Sequence, residues 1–273
     1  MRKDILTVLI FGDIFGRLGR TVIKENIDAL KKEYAPDLTL ANIENMSHGT
    51  GFSGVTVEEM LSAGVDVCTG GDHSFDNADG VSILGIPDLP VIRPYNISEK
   101  SPGKGLIMVE RNGVKILITN LLGRLYMKRQ FMNEEYHNPF LAVDTILKTY
   151  DQERPFITII DFHAETTSEK AAFANSVDGQ VSLVFGTHTH VPTADERILP
   201  NGTGFITDVG FNGPLNSIIG MELSGAISNF KIPKSSKVAI VDTGPRFLNA
   251  IVATFDTNTS KCLEIKRINK MYN

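Results

Sequence analysis

The chain has 273 residues, 42% of them apolar, and carries 27 Lys and Arg against 32 Asp and Glu, a formal charge of −5. That apolar fraction builds a large core and excludes a disordered chain, and the mild negative charge, without a long basic run, excludes a surface made to grip duplex nucleic acid nonspecifically. The two cysteines, Cys68 and Cys262, cannot form a multi-disulfide framework, and no stretch approaches the roughly 18 apolar residues of a membrane span.

The first apolar run, residues 5–11, superficially resembles a short signal peptide. Asp4 and Asp13 bracket it and no small-residue cleavage site follows, so it reads as a buried first strand and the protein as cytoplasmic. Leu18, Val22, Ile23, Ile27 and Leu30 then form one apolar helical stripe, with Lys24, Glu25, Lys31 and Lys32 opposite. The run 38–43 ends at Glu44-Asn45. Val57, Met60 and Leu61 give a short helix stopped by Gly64. The run 65–68, closed by Cys68 as a small core residue, leads into Gly70-Gly71-Asp72-His73. The run 114–122 ends at Gly123, and the polar stretch 124–138 follows as an exposed insertion or lid. Pro139 opens a helix through Phe140, Leu141, Val143, Ile146 and Leu147. The run 156–162 ends at His163, and Thr167-Ser168-Glu169-Lys170 caps a helix carrying Ala171, Ala172 and Phe173. The run 181–185 ends at Gly186-Thr187-His188-Thr189-His190, and 204–209 contains Asp208. From Lys237 the tail reads as two or three strands, 247–255 and 262–268 being the clearest. Continuous apolar runs of this length fit strands covered on both faces. Their alternation with helices predicts α/β layering, the β-rich tail adding antiparallel strands. No linker or repeat divides the chain, so one domain is expected over residues 1–273.

The informative feature is where the polar residues fall. Asp13, Glu44, Asp72-His73, His163 and His188-Thr189-His190 each follow an apolar strand-like run. In layered α/β folds strand ends converge at one rim, where ligands bind. Singly, an Asp or Glu after a strand is a turn former or helix cap, and a lone His is a surface residue, as His137 is read here. Together, four of the six histidines sit at strand ends, and on an extended or turning segment His188 and His190 can share a cleft while Thr189 points away. Oxygen donors with imidazoles and no cysteine suit Zn, Fe, Mn or Ni. Asp13, Glu44, Asn45, Asp72, His163, His188 and His190 are more donors than one catalytic zinc needs. They suit a metal pair bridged by a carboxylate, which would activate a bridging water and neutralise phosphoryl charge. His73, beside a ligand, is then placed to protonate the leaving oxygen.

Two other patterns are weaker. Gly49-Thr50-Gly51-Phe52-Ser53-Gly54 matches the dinucleotide fingerprint G-x-G-x-x-G with Asp72 downstream. Residues 44–48 separate its glycines from the strand, however, whereas the fingerprint needs them directly between strand and helix. They are expected to shape a loop at the rim of the cleft. A Ser-His-Asp hydrolase lacks its G-x-S-x-G elbow.

Gly12-Asp13, Gly71-Asp72-His73, the isolated His163 and Gly186-Thr187-His188-Thr189-His190 resemble the calcineurin-like metallophosphoesterases. The closer similarity is to their YmdB-like branch, through Ile10-Phe11-Gly12-Asp13, Glu44-Asn45, Asp161-Phe162-His163-Ala164-Glu165 and Thr207-Asp208-Val209-Gly210. Arg93-Pro94-Tyr95-Asn96 and Pro102-Gly103-Lys104-Gly105 also resemble that branch, and the similarity runs over about residues 5–255. The resemblance implies a four-layer α/β sandwich, two mixed β-sheets packed face to face and flanked by helices. It implies two metal ions per chain, iron before manganese. One would be held by Asp13, Glu44, Asn45 and His190, the other by Glu44, Asp72, His163 and His188, with Glu44 bridging and His73 as proton donor. The implied substrates are small phosphodiesters such as cyclic nucleotides, with no membrane partner and a homo-oligomer left open. Two departures stand out. Asp13-Ile14-Phe15 lacks the histidine of the superfamily's D-x-H, as the branch does, and Asp72 occupies the expected Asn of G-N-H. The extra carboxylate should hold metal more tightly, make it a weaker Lewis acid and repel phosphate. A metal-containing regulatory protein with vestigial catalysis is therefore the competing reading.

Overall fold

A computed structural model describes residues 3–127, 137–150 and 157–273. β1 (Ile5–Phe11) leads through Gly12 into β2 (Asp13–Ile14) and α1 (Gly16–Tyr34). The predicted stripe Leu18, Val22, Ile23, Ile27 and Leu30 is the buried face of α1. β3 (Leu38–Asn42) is followed by a looped segment and α2 (Gly54–Ala63). Ser53 caps α2 reciprocally with Thr56, and Gly64 ends it at φ 105°, as its sequence position predicts. β4 (Val67–Thr69), α3 (Ala78–Leu84), β5 (Val91–Ile92) and the hairpin of β6 (Leu106–Arg111) and β7 (Val114–Leu122) follow. Then come α4 (Pro139–Thr149), β8 (Ile157–His163), α5 (Thr167–Ser176), β9 (Leu183–Thr187), β10 (Arg197–Ile198), β11 (Gly204–Ile206), β12 (Phe211–Pro214), α6 (Leu223–Lys231), β13 (Arg246–Asp256) and β14 (Cys262–Tyr272).

The strands form two mixed sheets. The first has the order β2-β12-β13-β1-β3-β4-β5, with β14 paired to β13. In it β1, β3, β4 and β5 run parallel, and β13 lies antiparallel to β1 from Ile5↔Asp256 to Phe11↔Ala250. The second has the order β10-β11-β9-β8-β7-β6, its four inner strands parallel and both edge strands antiparallel. The facing surfaces bury Val8, Ile10, Leu40 and Ile251 against Ile116, Ile118, Ile159 and Phe185. On the outer face of the first sheet, Val22, Ile23 and Ile27 pack over Leu9, Phe11 and Ala41. On that of the second, Val143 and Phe173 pack over Leu121, Ile160 and Phe162. This is the expected four-layer order, helices–sheet–sheet–helices. Because both faces of each sheet are covered, the inner strands read as unbroken apolar runs.

One sequence expectation is adjusted. The cap of α5 is Thr166, whose Oγ1 accepts from the Glu169 amide, so Thr167 is already helical. Lys170, in the first turn of α5, is completely buried. Within the polar stretch 124–138, residues 128–136 lie outside those described, as does Phe156 at the head of its run.

Candidate metal centre

The parallel strands deliver their C-terminal ends to one rim. Asp13 arrives after β1, Glu44 and Asn45 after β3, and Asp72 and His73 after β4. His163 is the last residue of β8, and His188 and His190 follow β9. One donor atom each from Glu44, Asp72, His163 and His188 lie within 4.8 Å of one another. His163 Nε2 is 3.2 Å from Glu44 Oε1 and 3.1 Å from Asp72 Oδ1, and His188 Nδ1 is 3.3 Å from Asp72 Oδ1. A second group adjoins it. His190 Nε2 lies 3.1 Å from Asn45 Oδ1 and 4.0 Å from Asp13 Oδ1. The Asn45 amide nitrogen donates to the Gly49 carbonyl, which turns its oxygen toward His190. Asp13 Oδ2 accepts from the His188 amide, linking the two groups, while its buried Oδ1 has no hydrogen-bond partner.

The donors are held from behind. Thr187 Oγ1 donates to Asp161 Oδ1 at 2.6 Å, so it accepts from His163 Nδ1 at 2.8 Å. That leaves His163 Nε2 as the atom facing Glu44 and Asp72. Asp161 Oδ2 in turn accepts from Asn42 and Thr69. Glu165 lies 3.0 Å from His188 Nε2 and thereby directs Nδ1 into the cluster. Beneath the His188–His190 turn, Lys170 Nζ donates to the Thr187 carbonyl at 2.7 Å and pairs with Asp208 Oδ2 at 2.6 Å. Asp208 Oδ2 accepts from the Thr189 amide and hydroxyl, so Thr189 does point away from the cleft. This clasp holds His188 and His190 at φ 94° and 64°, a left-handed backbone that non-glycine residues seldom adopt. Gly71 is fixed by close approach, since a Cβ there would meet Glu44 Oε2 and His163 Cε1 at 2.0 and 2.6 Å.

His73 is set differently. Its amide donates to Glu44 Oε2 at 3.0 Å, and its Nδ1 bonds Asp76 Oδ2 at 2.7 Å. Asp76 thus orients the ring and leaves Nε2 as the atom that holds or releases a proton. Asp76, Asp161, Thr187, Glu165, Lys170 and Asp208 were not assigned site roles from sequence. For Asp161 and Asp208 a signal existed, a lone carboxylate inside an apolar run. Gly49 and Gly51, at φ 83° and 67°, do shape the loop between β3 and α2.

The electrostatics ask for a cation. Burial, reinforced by Asp208 and Glu44, pushes the Asp13 carboxyl well above its ordinary range. Burial also disfavours charge on His163, but Glu44 and Asp72 overcome it and hold the imidazole proton firmly. The same contacts outweigh burial at Glu44 and Asp72 and lower both carboxyls. His190 is pushed down to about 4 by burial and stays neutral at physiological pH, the form that ligates metal. His73 is raised because Glu44, Asp72 and Asp76 exceed its desolvation. Three carboxylates, an amide oxygen and three imidazoles, with a buried carboxylate oxygen lacking a partner, fit hard or borderline divalent ions.

Comparison with known proteins shows the family and the fold. The chain is 38% identical over 264 residues to the 2',3'-cyclic-nucleotide 2'-phosphodiesterase of Bacillus subtilis strain 168, covering 96% of each chain. The crystal structure of a phosphatase from Mycoplasma pneumoniae superposes with a TM-score of 0.89 at 35% identity, over 99% of this chain and 95% of that one. A calcineurin-like phosphoesterase of Bacillus subtilis shares the fold alone, with a TM-score of 0.59 at 11% identity over 97% and 90% of the two chains. The profile of YmdB-like proteins matches residues 9–268. The strand-end donors, the four-layer fold and these likenesses agree, and the chain belongs to the YmdB-like family.

Proposed function

We propose that this chain is a metal-dependent phosphodiesterase acting on small phosphodiesters, 2',3'-cyclic nucleotides first among them, through two metal ions. The observation that carries the reading is the convergence of Glu44, Asp72, His163 and His188 within 4.8 Å. Asp13, Asn45 and His190 supply a second set of donors beside Glu44, which would serve both ions. Iron is the first expectation for the metal and manganese the second, in a single cytoplasmic domain. Among the described residues no helix is long and apolar enough to cross a membrane.

Bound there, two divalent ions would supply Lewis acidity and an activated water. The chain's own residues do the rest. Asp161 through Thr187, and Glu165 directly, would keep His163 Nε2 and His188 Nδ1 available to hold the metal. Asp76 holds His73 on Nδ1, so that Nε2 protonates the departing oxygen. A ribose alkoxide is a poor leaving group, and general acid help of about 10²–10⁴-fold is expected for it.

The test is elemental analysis of purified protein and of Glu44→Gln, with hydrolysis of 2',3'-cyclic AMP measured on both. Two ions per chain and turnover are expected for the native sequence. Glu44→Gln removes the shared charge, so occupancy should fall well below two. Two ions tightly held in Glu44→Gln would refute the bridge. A doubly loaded native protein without turnover on any phosphodiester would favour the regulatory reading that Asp72 suggests.

A further inference from the structure

Residues 93–105 cross from the first sheet to the second. The Arg93 amide donates to the Lys104 carbonyl beside β5, and the Tyr95 amide to the Asn120 carbonyl of β7. Between this crossover and α4 lies a cavity of about 430 Å³ that shares no lining residue with the metal centre. Its volume is within the range of small-ligand sites, roughly 300–1,000 Å³.

Arg93 lines this cavity and is only 6% exposed. Its Nη1 donates to the carbonyls of Pro94 at 2.8 Å and Tyr95 at 3.3 Å, whereas its buried Nε has no partner. Among the described residues no carboxylate lies within ion-pair distance of its guanidinium. Glu99 is exposed and acts on it only from farther off. Burying a cation without a counter-charge is costly. The Nε–Nη2 edge is the fork that binds phosphate or carboxylate through two parallel hydrogen bonds, and a small turn of the side chain toward the cavity would uncover Nε, which is shielded from solvent here. Lys104 brings a second cation to the lining, its Nζ bonded to the Pro87 carbonyl at 2.9 Å with further protons to donate. Tyr95, Ile97, Leu141 and Ala142 give the same cavity an apolar wall. Two cations against one exposed carboxylate favour a dianion over a carboxylate ligand, and the wall favours one with a flat or apolar body.

We propose that this flank cavity is a second ligand site, separate from the metal centre, for a small organic phosphate. The phosphoryl group rests on Arg93 and Lys104, and the body lies against Tyr95 and Leu141.

The test is calorimetric binding of inorganic phosphate and of AMP to the metal-loaded protein, alongside Arg93→Gln and Leu141→Trp. Leu141 is 65% exposed on α4, so a larger ring there fills the cavity without disturbing the core. The native chain should bind AMP at one site more than either variant does, and that site should prefer AMP to inorganic phosphate by at least tenfold. Turnover of a nitrophenyl phosphodiester should be unchanged in both variants. If Arg93→Gln fails to fold, Leu141→Trp alone decides. A guanidinium that merely ties the Pro94 and Tyr95 carbonyls leaves AMP binding intact in Leu141→Trp, and that result overturns the proposal. So does a native chain whose only AMP or phosphate site is the metal centre, or a flank site with no preference for AMP.

Discussion

Replacing Lys170 by Met tests the clasp beneath the two-histidine turn. The change keeps the length of the side chain and removes the cation facing Asp208 Oδ2 at 2.6 Å, in a position with no exposure. Removing one partner of a buried pair costs about 3–5 kcal/mol. Asp208 keeps the Thr189 amide, the Thr189 hydroxyl and the Gly210 amide as donors, which offsets part of that loss, so the low end of about 3 kcal/mol is expected. At roughly 2–4 °C per kcal/mol for a domain of this size, the melting temperature should fall by about 6–12 °C. The Thr187 carbonyl also loses its donor, and the turn that keeps His188 and His190 in left-handed backbone is loosened. Groups that orient metal ligands typically contribute about 10–100-fold in affinity, so metal binding should weaken by that factor. Thermal unfolding of the metal-free protein and a metal titration measure the two effects separately. A Lys170→Met protein that melts within about 1 °C of the native one and binds metal equally well would refute the reasoning.

His73→Ala should keep both metals and the fold but lose about 10²–10⁴-fold in turnover of cyclic nucleotides, and less with nitrophenolate as leaving group; equal losses on both substrates would assign His73 a positioning role. Asp72→Asn keeps an oxygen donor of the same size while removing one negative charge from the phosphate's approach. It should therefore retain metal and match or exceed native turnover, whereas Asp13→Asn should be damaging; equal damage from both would defeat the charge argument. His190, whose pKa burial lowers from 6.5 to about 4, takes up its proton more readily in the unfolded chain. Its stabilising contribution, about 3 kcal/mol by that shift, is complete above pH 6.5 and is lost as the pH falls toward 4. In urea unfolding, metal-free native protein should accordingly lose about 3 kcal/mol relative to His190→Asn between pH 7 and pH 4, and parallel profiles would contradict this.

The layering and the rim were legible because strands covered on both faces leave long apolar runs, and a polar residue at the end of such a run is conspicuous. β1, β7 and β13 announce themselves in this way. β2, β5, β10 and β12 do not, because two to four residues carry no period and their pairing is dictated by neighbours far along the chain. The histidines and carboxylates that face the centre were likewise visible one by one. Their supports were not: Thr187 and Glu165 look like ordinary strand-end and helix-start residues. Lys170 reads as a polar residue at a helix start, and only the second sheet's packing shows it buried under His188. Asp76 lies three residues beyond His73, inside a turn, and nothing in its immediate sequence distinguishes it from a solvated acid. His137, set aside as a surface residue, lines the flank cavity and has no contact with the metal centre among those described.

The position of β13 bears on how the protein is made. β1 precedes every other described strand, yet its antiparallel neighbour in the sheet is β13, and Asp13 is paired through β12 at Phe211↔Asp13. Roughly 235 residues separate the end of β1 from the start of β13, which at ~5–20 residues per second is on the order of 10–50 s of translation. During that interval one edge of β1 lacks its partner, and an unpaired edge invites pairing with other chains. Asp13, Glu44, Asn45 and Asp72 are translated early in that interval, and His188, His190 and Asp208 only late in it. Until His188 and His190 emerge, the nascent chain carries only the acidic half of the candidate site. The full donor set therefore comes together only when β9 has joined its sheet and β12 and β13 have docked, so a metal held there as proposed would be chosen by the finished protein rather than by the ribosome-bound one.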